Sequence, residues 1–267
     1  MRATASFRPR VRAGFGATVV MAALLVGVLL SASAAVGSGD GVVADAVNLE
    51  KLFAADGASG DYFGYAVSID EDTCVIGARW DDDDGPDSGS AYVFTREGDT
   101  WSEQAKLTAS DGASGDYFGY SVSIDGDTCV IGAHGDDDEG LNSGSAYVFT
   151  REGDTWNEQA KLTASDGAAH DCFGFSVSVD ADSCLVGADG DDDRGTSSGS
   201  AYVFTREGDT WSEQTKLVAS DGASGDYFGY SVSIDGDTCV IGAHGDDDHG
   251  ASSGSAYAFT RKKGAWS

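Results

Sequence analysis

The chain has 267 residues, and 45 Asp and Glu stand against 16 Lys and Arg, a formal charge of −29 at pH 7. A charge of that size repels nucleic acid and anionic membrane surfaces and favours cations, basic partners or a salt-rich medium that screens the repulsion. Nucleic acid is therefore excluded as a partner, and so is membrane binding by the folded part itself.

Residues 1–34 stand apart from the rest. Arg2, Arg8, Arg10 and Arg12 give a positive start, Ala17 to Leu30 is apolar apart from Thr18, and Ala32-Ser33-Ala34 offers a small-x-small cleavage site. These features predict an export signal. An uncleaved membrane anchor is the alternative, since Phe15 to Val36 has the length to reach across a bilayer. Either reading places the rest of the chain outside the cytoplasm, secreted or at the cell surface. A linker over 35–46 leads into a repeat region over 47–267.

The repeat region is set by Phe63-Gly64, Phe118-Gly119, Phe173-Gly174 and Phe228-Gly229, which follow one another at a constant 55 residues. A period of this length means one supersecondary unit per repeat. In the second repeat Phe118, Tyr120, Val122 and Ile124 alternate with small or polar residues, which predicts a first strand ending at Asp125. Asp125-Gly126-Asp127 reads as a hairpin turn. Thr128 to Ala133, an almost continuous apolar run, predicts a second strand covered on both faces. After the polar loop His134 to Ser143, Ser145 to Arg151 is the third strand, closed by Glu152-Gly153-Asp154. The fourth, Trp156 to Leu162, is polar, as suits an outer edge facing water.

Four short antiparallel strands repeated at constant spacing predict an all-β fold, a β-propeller of four four-stranded, 55-residue blades. Lys51-Leu52 aligns with Lys106-Leu107, so the chain begins on an outer strand with no earlier blade of its own. That N-terminal strand is expected to complete the last blade and close the ring. A truncated product, or one part of a larger ring, is the competing explanation. Cys74, Cys129, Cys184 and Cys239 hold one repeat position and read as small core residues rather than disulfide partners. Cys172 stands where the other repeats have tyrosine.

Phe-Gly at the start of each blade and Gly-Ala at the end of its second strand (Gly77-Ala78, Gly132-Ala133, Gly187-Ala188, Gly242-Ala243) resemble the FG-GAP repeat of integrin α-subunit propellers and of many secreted microbial proteins. The third letter departs from that pattern: Arg79, His134, Asp189 and His244 replace proline. The calcium loop expected between first and second strands is cut to a tight turn, so that site does not carry over. The resemblance implies a propeller and extracellular interaction with no settled activity.

In an up-and-down blade the loop before the first strand and the loop after the second share one face. The first set carries Asp56 and Asp61, Asp111 and Asp116, Asp166 and Asp171, Asp221 and Asp226. The second carries Asp81 and Asp83, Asp136 and Asp138, Asp191 and Asp193, Asp246 and Asp248. Hard oxygen donors in Gly-containing loops suit one weak Ca²⁺ site per blade; the same residues also serve as solvated turn formers. His134, His170, His244 and His249 do not recur in every blade, which disfavours a transition-metal site. Trp101, Trp156, Trp211 and Trp266 read as blade-to-blade packing, whereas Trp80 lies outside the repeat pattern.

No nucleophile elbow, phosphate loop or metalloprotease motif is present in the sequence. The expectation is a non-catalytic binding or adhesion module for an extracellular protein or polysaccharide ligand. The alternative is a secreted carbohydrate-active hydrolase or lyase on the same scaffold, for which the third blade, the most divergent, is the place to look.

Overall fold

The computed structural model describes residues 50–267. The export-signal, anchor and linker readings fall on residues outside that range, as do residues 47–49.

The described residues form four sheets of four antiparallel strands and no helix. The first holds β1 (Val67–Asp70), β2 (Thr73–Ala78), β3 (Ser90–Glu97) and β4 (Thr100–Leu107); the second β5 (Ser121–Asp125), β6 (Thr128–Ala133), β7 (Ser145–Glu152) and β8 (Thr155–Leu162). The third holds β9 (Phe173–Asp180), β10 (Ser183–Ala188), β11 (Ser200–Glu207) and β12 (Thr210–Leu217); the fourth β13 (Phe228–Asp235), β14 (Thr238–Ala243), β15 (Ser255–Lys262) and the short β16 (Ala265–Trp266). Strand order within each sheet follows the sequence, as in the blades of a propeller.

The strands appear where alternation and turn residues predict them, except that the first strands of the first and second sheets begin later, β1 at Val67. The first strand of the second sheet begins at Ser121 rather than at Phe118, which instead bridges Gly89 of the sheet before it. In the third and fourth sheets the strand does begin at the phenylalanine. The continuous apolar runs become the second strands, and β2, β6 and β10 are buried at every residue.

Neighbouring sheets stack through one recurring interface. Val75, Val93 and Leu107 of the first sheet pack on Cys129, Ile131, Tyr147 and Phe149 of the second. Val130, Val148 and Leu162 meet Cys184, Val186, Tyr202 and Phe204 of the third, and the pattern continues to the fourth. The four equivalent cysteines are buried free thiols, as expected. Cys184 pairs in register with Val179, so it is not opposite Cys172. Trp156 Nε1 donates to Gln104 Oε1 across the interface at 2.9 Å, and Trp211 Nε1 to Gln159 Oε1 at 2.8 Å, which places these indoles in blade-to-blade packing. Polar residues of the inner strands link the sheets as well: Ser68, Ser123 and Ser178 accept the backbone amides of Ile124, Val179 and Ile234.

Closure of a ring by the leading segment is not shown. Glu50 to Ala54 forms no strand, and on its outer side β15 pairs with β16, at Arg261 and Lys262. The segment lies against the first sheet, with Leu52 and Ala54 on Cys74, Ile76 and Phe94, and Glu50 Oε2 accepting the Trp101 amide at 3.0 Å. Leu52 and Ala54 there take the places that Leu107 and Ala109 take against the second sheet. The apolar pocket of the first sheet thus anchors the segment without any pairing to the fourth. Ile69 at one end of the array is 64 % exposed and Val240 at the other 44 %, whereas the matching Ile124 and Val130 of the second sheet are buried.

Candidate functional site

In each sheet the loop before the first strand and the loop after the second meet at one end, and a tyrosine of the third strand fixes their aspartates. Tyr147 is fully buried in β7, and its Oη lies 2.8 Å from Asp111 Oδ1 and 2.9 Å from Asp136 Oδ2. Lys161 stands opposite Tyr147 on β8, so its stem runs along the tyrosine ring. Its Nζ donates to Asp111 Oδ2 at 2.7 Å, Asp136 Oδ2 at 2.8 Å and Asp138 Oδ2 at 2.6 Å.

The same arrangement joins Lys106 and Tyr92 to Asp56, Asp81 and Asp83, and Lys216 and Tyr202 to Asp166, Asp191 and Asp193. In the fourth sheet Tyr257 holds Asp221 and Asp246, with the Asp248 amide on Asp246, but no lysine joins them among the described residues.

The structure therefore brings twelve of the sixteen sequence-predicted aspartates into these four groups. The other four serve the backbone: Asp61, Asp116, Asp171 and Asp226 each accept the amide three residues earlier, of Ala58, Ala113, Ala168 and Ala223. The carboxylates of Asp111, Asp136 and Asp138 lie within 4.8 Å of one another and could hold a metal. Their all-oxygen chemistry fits a hard cation such as Ca²⁺. The Lys161 ammonium already satisfies all three, so a metal there must displace it.

The charges respond to this setting. Burial pushes Asp111 and Asp166 up, but their lysine and tyrosine partners more than offset it, so both lie below the usual carboxylate range. Burial lowers Lys161 and Lys216, and the aspartates around each outweigh that and raise them. Asp116 and Asp171 make no direct ion pair, and burial pushes each up to about 6 in spite of its backbone amide and the more distant lysine.

This sets a pH dependence. Asp116 and Asp171 bind protons in the folded state at a pH where the unfolded chain, with carboxyls near ~3.9, has lost them. Their contribution to stability is largest at low pH and is lost as pH rises through about 6. Asp111 and Asp166 act the other way, contributing above the unfolded value and losing that contribution as pH falls through their lowered pKa. The melting temperature is expected to rise between pH 7 and about 5 and to fall again below about 4. Relief of general repulsion has the same sign over the first window, so the check is a calorimetric comparison with the Asp116→Asn, Asp171→Asn variant, in which the rise should be smaller. An identical rise in both proteins would remove the assignment.

A second feature lies at the same end, along the inner strands. Tyr65, Tyr120, Phe175 and Tyr230, each two residues after the repeat phenylalanine, form a continuous row with ring centroids 5.1, 4.9 and 5.1 Å apart. Three of the residues in place of the third motif letter, Arg79, His134 and His244, pack beside it. The Arg79 guanidinium lies 3.9 Å from the Tyr65 centroid and 4.7 Å from Trp80. His134 is 4.0 Å from Tyr120, and burial, helped by Arg79, lowers it to about 4, so it is neutral. His244 is 4.1 Å from Tyr230. His134 and His244 thus belong to the aromatic row rather than to the acidic groups.

Neither the lysines nor the row was singled out by sequence reasoning. Lys106, Lys161 and Lys216 recur at the repeat spacing, as do the tyrosines that anchor the acids, and that recurrence was the available signal.

Four segments of the chain, 47–94, 101–149, 156–204 and 211–259, match a family model described as FG-GAP repeat. No curated protein matches the chain.

Proposed function

The chain belongs to the FG-GAP repeat family, and from that we propose that it is a secreted or surface-exposed, non-catalytic binding scaffold whose acidic face takes a basic protein partner. Repeats of this kind typically mark non-enzymatic binding domains. The observation that carries the reading is the surplus of carboxylate at one end of the sheets. Each lysine is shared among three aspartates, and Asp82, Asp84, Asp137, Asp192 and Asp247 remain exposed around them. A face of this kind steers a cationic partner, and its repetition in four sheets allows several contacts at once.

Calcium enters this reading as a competitor. It must displace lysine in three of the groups, so adhesion would depend on calcium only weakly through them.

The test is calorimetric titration of the chain with a lysine-rich peptide and with its glutamate counterpart. The basic peptide should bind, the acidic one should not, and raising the salt from about 50 to 300 mM should weaken binding roughly tenfold. Neutralising Asp82, Asp137 and Asp192 to asparagine should lower affinity further. Equal affinity for the two peptides would end the proposal.

A further inference from the structure

We propose that Asp189, Phe175 and Tyr230 form a seat for an arginine side chain of that basic partner. The inference rests on the binding reading above and adds where the partner is gripped and by which residue.

Each repeat places one residue directly after Gly-Ala, against the aromatic row. In the first repeat that residue is Arg79, and its guanidinium lies over Tyr65, at 3.9 Å, and over Tyr120 of the next sheet, at 5.3 Å. The row therefore accepts a guanidinium within the protein itself, through the attraction of a cation to aromatic faces. In the second repeat the neutral His134 lies between Tyr120 and Phe175. In the third the residue is Asp189, which follows Ala188, the register partner of Phe173; by equivalence with Arg79 and His134 its repeat position is that of the row's Phe175–Tyr230 step.

Asp189 is only 7 % exposed, and no ion pair reaches it among the described residues. A buried carboxylate without a cation is costly as it stands. An arriving guanidinium would supply the missing charge and stack on the rings as Arg79 does. Arginine suits this better than lysine, because its planar fork stacks and pairs with a carboxylate at the same time.

A second change in the same repeat opens the approach. Tyr117 stacks on His134 at 5.3 Å, Tyr227 on His244 at 5.0 Å, and Tyr62 meets Trp80 at 4.3 Å. At the matching position the third repeat has Cys172, close enough to Asp189 for the carboxylate to raise its thiol further, after burial. A ring that flanks the row in three repeats is thus replaced by a small side chain at the one repeat that carries the acid. Phe175 and Cys172 are partly exposed and Tyr230 is 44 % exposed, so the step can be reached from solvent.

The experiment titrates the full chain with two short peptides that differ only in arginine or lysine, and with N-acetyl-argininamide. The variants are Asp189→Asn, which removes the charge, and Cys172→Tyr, which restores the residue of the other repeats and leaves the charge in place. Arginine peptide should bind about tenfold tighter than lysine peptide, and each variant should erase that preference while leaving lysine-peptide binding almost unchanged. Uptake of N-acetyl-argininamide that is lost in Asp189→Asn would support the seat even if neither peptide bound, an outcome that would overturn the scaffold reading alone. Equal binding of the two peptides, or a preference that survives both variants, would overturn the seat and leave the scaffold reading standing.

Discussion

Gly132→Ala is expected to destabilise the protein by about 3 kcal/mol or more, the upper end of what overpacking costs, because the added methyl has no room that a side chain could make for it. Its Cβ would fall far inside van der Waals contact distance of the Gly174 carbonyl oxygen, backbone next to the following sheet, and would also meet Ser121 Oγ. Ser121 donates to that same carbonyl at 2.8 Å, so relieving the clash parts the two sheets at their closest approach. For a chain of this size the loss corresponds to a melting temperature lower by roughly 6 to 12 °C.

Gly77 and Gly187 make the equivalent approach to Gly119 and Gly229 and should behave alike. Gly242 holds the same motif position in the fourth sheet, yet its nearest neighbours belong to Ser231 of its own sheet. Gly242→Ala should therefore cost distinctly less, since a serine hydroxyl can rotate away. Scanning calorimetry of the variants decides the matter: equal losses at Gly132 and Gly242 would show that sheet-to-sheet contact is not the reason for the glycine.

Lys161→Met is expected to cost about 3 kcal/mol at neutral pH, the scale of breaking a buried ion pair by removing one partner. Asp136 is nearly buried and shares its Oδ2 between Tyr147 and Lys161, so the substitution leaves it, Asp111 and Asp138 with no cation among them. The destabilisation should shrink as pH falls and the carboxyls take up protons.

The variant also tests the metal reading directly. With the ammonium gone, millimolar Ca²⁺ should restore part of the melting temperature, and a chelator should remove the gain, whereas the parent protein should respond less. Affinity in the ~10⁻⁴ to 10⁻³ M range is expected for exposed oxygen sites of this kind. A Lys161→Met protein that melts as the parent does would show that the ammonium contributes nothing. One that is destabilised yet indifferent to Ca²⁺ would show that these aspartates do not form a cation site.

Much of the fold could be read without coordinates, since its signals are local and repeated. Alternation in Val122 and Ile124, the apolar run Thr128 to Ala133 and the Asp-Gly turns each lie within a few residues, and the 55-residue spacing multiplies every signal by four. The gathering of aspartates at one end followed from the alternation of connections in an up-and-down sheet. Their partners did not: Lys161 reaches Asp111 from 50 residues away, and what aims it there is the pairing of β7 with β8, with Lys161 opposite Tyr147.

By itself, then, the sequence determined the repeat, the strands, the four-stranded sheets and the acidic loops, because each depends on neighbours close along the chain. Only the tertiary structure decided that lysines stand inside the acidic groups, that Asp61, Asp116, Asp171 and Asp226 turn to backbone amides, and that Tyr65 to Tyr230 join into one row. It also placed Leu52 and Ala54 on the first sheet, with no strand pairing to the fourth shown. The row depends on how one sheet meets the next, whereas the lysine groups form within a sheet and the amide contacts within a loop; the repeat spacing marks all these residues but does not say which partner each aspartate takes.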